Sequence, residues 1–166
     1  MPEQHDFSRA YTRYLPPIRA KCRRLLGGGG AAEDVVQETF VRFWKSELSR
    51  DGTEADPRTI MAWLYRTCTR LAIDALRDRR RTEALLADDE APCGRDLAAS
   101  AAAKRAIATL ASSVAADELE VAVLCRVDGL SQPEAAAVLG VSDRTVRRML
   151  ERFDERTGPL RKELSS

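Results

Sequence analysis

The chain has 166 residues, of which 44% are hydrophobic and 32% charged, a balance that is typical of a globular protein and excludes disorder throughout. Its 27 basic and 26 acidic side chains nearly cancel, so the net charge of +1 does not by itself indicate a nucleic-acid partner. No apolar run reaches the roughly 18 to 20 residues of a membrane span, and the N-terminus lacks the apolar core of a signal peptide. We therefore expect a cytoplasmic protein with no membrane insertion.

Ala, Leu, Arg and Glu dominate segments of helical length, and no run alternates as a strand does, so an all-α fold is predicted. The first helix should break locally at Pro16-Pro17 and end at the glycines 27–30, whereas Pro57 should open the third helix. The predicted helices span residues 7–26, 31–46, 57–80, 101–110, 117–127, 132–139 and 143–156.

The predicted second helix has two distinct sides. Asp34 and Glu38 carry like charges one turn apart, which repel mildly and do not favour an isolated helix, so a basic protein partner would explain them. A helical wheel places Val36, Phe40, Phe43 and Trp44 on one side, where most of the rings should be core. The other side holds Asp34, Gln37, Glu38, Val41 and Lys45.

The third helix combines an apolar side with a basic one. Ile60, Leu64, Cys68, Leu71 and Ala75 recur at steps of three and four and should be core. Trp can stack on a base and Arg can neutralise phosphate, so the opposite side suits unpaired nucleic acid, although packing explains a Trp there equally well. That opposite side carries Trp63, Arg66, Arg70, Ile73 and Arg77 and ends in Arg79, Arg80 and Arg81.

Residues 82–100 contain Pro, Gly and a cluster of acids with little apolar periodicity, which indicates a linker between two helical domains. After it, Ser131 and Glu134 have capping-box spacing, and Gly140 should end that helix. The spacing of Ala136, Gly140 and Val146 is that of a helix-turn-helix. The alternative interpretation is an ordinary αα-hairpin with a basic exposed face.

Ser142 or Asp143 should cap the last helix, on which Val146, Met149, Leu150 and Phe153 can face inward. This leaves a basic outer surface that is typical of a recognition helix, with N-terminal side chains at base edges and later arginines at phosphates. The residues of that surface are Arg144, Thr145, Arg147, Arg148 and Arg152.

The cysteines at 22, 68, 93 and 125 are scattered, with no CxxC pair and one histidine in the chain, so free thiols are expected rather than a zinc site or a disulfide framework. No nucleophile with a base, phosphate loop or metal cluster is recognisable. We therefore expect no catalytic residue, no metal and no cofactor.

Three segments in a fixed order, "AEDVVQETFVRFWK", "MAWLYRTCTRLAIDALRDRRR" and "DGLSQPEAAAVLGVSDRTVRRML", resemble an extracytoplasmic-function (ECF, group IV) sigma factor of the bacterial sigma-70 family. The resemblance covers nearly the whole chain. It implies sigma region 2 at residues 1–81, a linker at 82–100 and sigma region 4 at 101–166. The implied function is to bind core RNA polymerase and direct it to specific promoters in response to a signal.

The resemblance also implies site residues and partners. Core polymerase, through its largest and second-largest subunits, would be bound by Asp34, Gln37, Glu38, Phe40 and Trp44. The minus-ten element would be opened and read by Trp63, Arg66, Arg70, Arg77 and Arg80. The minus-thirty-five element would be read by Ser142, Arg144, Thr145, Arg147, Arg148 and Arg152.

Within the linker, the acids Asp88, Asp89 and Glu90 fit mimicry of a nucleic-acid backbone along the RNA path of the polymerase. The chain ends soon after the last predicted helix, so we expect no sensory domain and a separate regulator, an anti-sigma factor. Two other hypotheses remain. A stand-alone helix-turn-helix regulator predicts stable duplex binding without polymerase, and a redox or metal sensor would use the four cysteines, whose spacing gives it little support.

Overall fold

The computed structural model describes residues 3–50, 56–86 and 109–164, and every regular element in these ranges is helical, which confirms the predicted all-α class. None of these helices is long and apolar enough to cross a membrane. A π-helical turn, Val123–Val127, directly follows the sixth helix. The helices are α1 (Glu3–Leu26), α2 (Gly30–Lys45), α3 (Glu47–Arg50), α4 (Pro57–Leu86), α5 (described over residues 109–113), α6 (Ala116–Ala122), α7 (Gln132–Leu139) and α8 (Asp143–Leu164).

Helix α1 runs without interruption through Pro16 and Pro17, so the predicted local break is wrong. Each proline removes one backbone donor, a loss that packing can offset when the flanking side chains are buried. Tyr14 and Ile18 are 5% and 0% exposed on either side of the pair. The predicted end is confirmed, because Gly27 takes a φ of 82° and donates its N–H to Arg23 O at 2.8 Å.

The chain folds into two units. The first contains Met1–Ala72 with Ala137–Gly140, and most of its buried side chains come from α1, α2 and the first part of α4. Glu33 at the start of α2 accepts hydrogen bonds from Arg19 at 3.1 Å and Arg23 at 3.0 Å, which join α2 to α1. The buried apolar set includes Ile18, Cys22, Leu25, Val36, Phe40, Phe43, Leu64 and Cys68.

The second unit contains Ile73–Ala136 with Val141–Ser166. Its buried apolar side chains include Leu119, Val121, Leu124, Val146 and Phe153. Helix α4 extends past the predicted end at Arg80 to Leu86, so the first residues assigned to the linker are helical. The acids at 88, 89 and 90 lie outside the described residues.

Cys22 and Cys68 are buried free thiols, as expected, and Cys125 is a partly buried one. Burial raises the pKa of the Cys125 thiol above its usual value, and the neighbouring Arg126 opposes this shift. Within the described ranges, no group of three or more His, Cys, Asp or Glu could hold a metal ion. Cys93 falls outside those ranges.

Candidate functional site

The outward face of α2 presents acids beside large apolar side chains. Its members recur at helical spacing, and we call them the α2 ridge: Asp34, Gln37, Glu38, Val41 and Trp44. Val41 and Trp44 are each 44% exposed, which is high for such side chains. Arg42 donates to Glu38 at 2.7 Å, whereas Asp34 and Gln37 make no hydrogen bond or ion pair to any other described residue. The ridge therefore offers one uncommitted carboxylate and exposed apolar surface.

A shallow apolar groove of about 430 Å³ runs along the ridge. Phe40 is 2% exposed and meets the Tyr11 ring edge-on, with ring centroids 4.7 Å apart and planes at 66°. It therefore shapes the groove from within the core, whereas Trp44 stands at the surface. Tyr11 and Lys45 were not among the predicted binding residues. Neither was Val41, although the sequence shows it as an apolar residue on the acidic side of the helix. The groove is lined by Tyr11, Gln37, Phe40, Val41, Trp44 and Lys45.

The predicted nucleic-acid side of α4 is not a uniform exposed surface. Trp63 is partly buried against Phe43, with ring centroids 5.8 Å apart. Arg70 is exposed. Ile73, predicted to lie with these residues, is 3% exposed, so its placement was wrong: the buried arc of α4 also includes Thr69, Ala72 and Leu76 and is wider than the stripe read from the sequence.

Two arginines of α4 carry buried donors. Arg66 Nε and Arg80 Nη1 are shielded from solvent and have no acceptor among the described residues. A buried N–H without an acceptor is costly, and a charged one more so. An external anion could therefore bind either nitrogen only after the side chain turns it toward solvent.

Arg77 of α4 already has acceptors within the second unit. Its Nε donates to Ala111 O at 2.7 Å and its Nη2 to Val114 O at 3.1 Å, at the end of α5. A cation at the last carbonyls of a helix completes their hydrogen bonding and favours the negative end of the helix dipole. Arg77 therefore has a structural role in this conformation.

The predicted helix-turn-helix has the expected local geometry. Ser131 N–H donates to Glu134 Oε2 at 2.8 Å, and Glu134 N–H donates to Ser131 Oγ at 3.4 Å, which is the predicted capping box at the start of α7. The hydrogen bonds from the Ser131 side chain and backbone hold the pKa of Glu134 below its usual range. Gly140 makes the turn with a φ of 68°, and Val141 N–H donates to Ala136 O at 3.1 Å.

Ser142 caps α8: its Oγ accepts from Thr145 N–H at 3.2 Å and lies 2.9 Å from Thr145 Oγ1. Val146 is fully buried one turn later, which fixes the side of α8 that faces solvent. Four arginines are exposed on that side and form no ion pair or hydrogen bond with the rest of the described chain. They are Arg144, Arg147, Arg148 and Arg152, and we call them the α8 arginines.

The second half of α8 carries charges that are paired within the second unit. Arg126, in the π-helical turn, places Nη2 2.7 Å from each carboxylate oxygen of Asp154, and its guanidinium carbon lies 5.1 Å from the centre of the buried Phe153 ring. Arg156 Nε lies 3.4 Å from Glu118 Oε2, an oxygen that accepts no hydrogen bond within the described residues. Neither pair was predicted from the sequence.

Comparison with known families assigns most of these elements. Residues 10–82 match the family model for sigma-70 region 2, and residues 113–161 match that of a homeodomain-like domain. The first match contains the α2 ridge and most of α4. The second contains α6, α7 and most of α8.

Individual relatives carry the same assignment. The chain is 35% identical over 140 residues to the ECF RNA polymerase sigma factor SigE of Mycolicibacterium smegmatis, an alignment that covers 78% of this chain and 51% of SigE. It is 27% identical over 164 residues to the RNA polymerase sigma factor CarQ of Myxococcus xanthus, covering 97% of this chain and 92% of CarQ. The chain spans 51%, 38% and 20% of the lengths of three curated relatives that it matches.

One solved structure shows the same fold over nearly the full length. It is CnrH in complex with the cytosolic domain of CnrY, and the superposition has a TM-score of 0.57 at 26% identity. It covers 96% of this chain and 90% of CnrH, which is an RNA polymerase sigma factor of Cupriavidus metallidurans.

Proposed function

We propose that the chain, which matches the model of sigma-70 region 2 over residues 10–82 and is similar to ECF sigma factors, is a group IV sigma factor that directs core RNA polymerase to specific promoters. It would act in the cytoplasm in response to a signal and catalyse no reaction itself. We further propose that region 2 occupies residues 1–81, a linker 82–100 and region 4 residues 101–166. Three surfaces support this function.

The α2 ridge is the proposed site for core polymerase, whose largest and second-largest subunits are the expected partners. Asp34 has no hydrogen bond or ion pair among the described residues, so it can pair with a basic side chain directly. Glu38 must first release its present partner, Arg42. Charge complementarity of this kind mainly raises the association rate and fixes register. The groove beside Trp44 can accept an apolar side chain, and Phe40 contributes by shaping it. The ridge thus combines steering charge with apolar area.

The α8 arginines are the proposed readers of the minus-thirty-five element. A helix-turn-helix places the N-terminal part of its second helix in the major groove, where Arg144, Arg147 and Arg148 could meet base edges or phosphates. They form no ion pair or hydrogen bond with the other described residues, which supports this role, since binding would break no such interaction there. Ser142 and Thr145 sit at the capped end, where their hydroxyls bond to each other.

The side of α4 is the proposed reader of the minus-ten element. Arg70 is exposed and could meet a phosphate directly. Arg66 and Arg80 each have a buried donor without an acceptor among the described residues, which a phosphate could satisfy only after the side chain moves. The Trp63 ring is partly exposed and could stack on an extruded base while it stays packed against Phe43. Arg77 could meet DNA only after leaving the carbonyls at the end of α5.

Regulation by a separate anti-sigma factor is part of the proposal. CnrH, which shares the fold, was solved with the cytosolic domain of CnrY bound. A protein of this kind could cover the exposed Val41 and Trp44 and so compete with core polymerase.

The α2 ridge is the observation that carries the proposal, because a stand-alone helix-turn-helix regulator has no need of it. The test is to replace both acids, Asp34→Lys with Glu38→Lys, and to measure binding to core polymerase. Like charges facing each other at an interface are strongly unfavourable, so affinity should fall at least about tenfold. Both acids are exposed, so folding should be retained.

A matched control is Glu151→Lys with Glu155→Lys, two exposed acids at the same spacing on α8. This variant changes the net charge equally and should bind core polymerase as the wild type does. Unchanged binding by the α2 variant, together with tight binding of promoter duplex by the protein alone, would favour the stand-alone regulator.

A further inference from the structure

Helix α8 carries an acidic residue on the same side as its arginines, which is unfavourable for binding DNA. Arg147 and Asp154 are seven residues apart, which places them two turns apart on the same side of a helix. A duplex lying along the α8 arginines would therefore bring its phosphates toward the Asp154 carboxylate. An exposed carboxylate there would repel the DNA.

The structure supplies a counter-charge at that position. Arg126 reaches from the π-helical turn and places one nitrogen 2.7 Å from both Asp154 oxygens. Its guanidinium also lies over the face of Phe153, which is 5% exposed and so holds the arginine from below. A π-helical turn changes the angular position of the residues around it, and such turns often occur at functional sites.

A second pair acts on the same half of α8. Arg156 lies within ion-pair distance of Glu118 of α6, whose side chain is 4% exposed. Two ion pairs thus tie the C-terminal half of α8 to α6 and the π-helical turn, while the arginines of its N-terminal half are unpaired within the described residues. The C-terminal half of α8 therefore fixes the helix, and its N-terminal half is available to contact a ligand.

We propose that Arg126 is a positioning residue for duplex recognition, which neutralises Asp154 and holds its carboxylate away from the phosphates. This rests on the proposed promoter function. Arg126 acts through Asp154 and not by contacting DNA. The partner whose binding it tunes is the upstream promoter duplex.

The test is a double-mutant cycle in the holoenzyme with Arg126→Gln, Asp154→Asn and both together. The probe is the upstream duplex of a promoter from which the wild-type holoenzyme starts transcription. Arg126→Gln should weaken binding about three- to fivefold, since it leaves one carboxylate without its counter-charge. Asp154→Asn should bind at least as well as the wild type, and the double variant should return to the wild-type level.

The salt dependence of binding separates positioning from direct contact. If Arg126 touches a phosphate, replacing it with Gln in the Asp154→Asn background still weakens binding and reduces the magnitude of the slope of log K against log salt by about 0.9. That result would overturn the proposal, because no carboxylate is left there to neutralise. The control is Arg13→Gln, because Arg13 lies 5.5 Å over the Tyr14 ring in the first unit and should leave duplex binding unchanged.

Failure of the proposed function can be told apart from failure of this inference. A wild-type holoenzyme that starts at no defined promoter contradicts the sigma function, and the same cycle is then measured on a random-sequence duplex. Rescue of Arg126→Gln by Asp154→Asn on that duplex would still support the pair. Equal binding by the wild type and Arg126→Gln on either duplex contradicts it.

Discussion

The arginines of α4 and those of α8 are the same residue type in two different circumstances. The four α8 arginines at 144, 147, 148 and 152 are exposed and form no ion pair or hydrogen bond with the other described residues, so a ligand can bind them without displacing such a partner. On α4, Arg77 already donates to Ala111 O and Val114 O, and Arg66 has a buried donor with no acceptor among the described residues. Basic residues at helical spacing therefore do not define a binding surface until their existing partners are known.

The largest expected effect comes from reversing the charge of an α8 arginine. Arg147→Glu or Arg148→Glu should reduce initiation from a cognate promoter at least about a hundredfold, since each removes an attractive contact and adds repulsion of the phosphates. Run-off transcription with core polymerase measures this. Core binding and thermal stability should stay at the wild-type level, because neither side chain has a partner within the described residues. A stable variant that still initiates normally would refute the assignment of α8.

Removing Arg77 should instead affect stability. Arg77→Ala deletes two hydrogen bonds to carbonyls at the end of α5, and bonds made by a charged donor are the stronger class, so the free energy of unfolding should fall by about 2 kcal/mol. Urea unfolding of the second unit measures the loss. Arg79→Ala, two residues away, removes an exposed pair with Glu83 and should lower it by less than about 0.5 kcal/mol. Equal losses would mean that Arg77 is no more structural than its neighbour.

The helix-turn-helix that presents the α8 arginines depends on the cap of α7. Ser131→Ala removes the oxygen that accepts from Glu134 N–H and should lower the free energy of unfolding by about 1 kcal/mol. Thermal unfolding checks this. Ser113→Ala is a suitable control, because that exposed hydroxyl donates only to Thr109 O within its own helix. A loss of the same size in both variants would contradict a specific role for the cap.

The smallest effect is a pH dependence from Glu134. Hydrogen bonds from Ser131 lower its pKa in the folded state, so its contribution to stability is present above the unfolded value of about 4.3 and is lost as pH falls through the lower folded value. The stability difference between wild type and Glu134→Gln should therefore shrink as the pH is lowered below that range. A difference that stays constant down to acid pH would show that the carboxylate form is not what the cap requires.

Much of the fold follows from local patterns. The capping box at Ser131 and the positive φ of Gly140 were predicted from residue type and spacing, because caps and tight turns depend on a few neighbouring residues. The exposed and buried sides of α2 follow from the helical period, except that Trp44, which the helical wheel placed with the buried residues, is 44% exposed. The break predicted at Pro16-Pro17 failed because burial of Tyr14 and Ile18 outweighs two lost backbone bonds.

The parts of the site that the sequence did not predict depend on distant partners. Arg126 and Asp154 are 28 residues apart, and Arg77 bonds to carbonyls 34 and 37 residues away, so no local spacing reveals either contact. Phe40 shows the same limit in another form. A helical wheel gives its side of α2, but its burial against Tyr11 became visible only with α1 in place.

Selection of promoters by the chain is tested most directly by adding the purified chain to core RNA polymerase on genomic DNA and sequencing the 5′ ends of the transcripts. We expect a small set of start sites that share an upstream sequence element, are absent with core polymerase alone and are lost with Arg147→Glu. Start sites identical to those of core polymerase alone would contradict it.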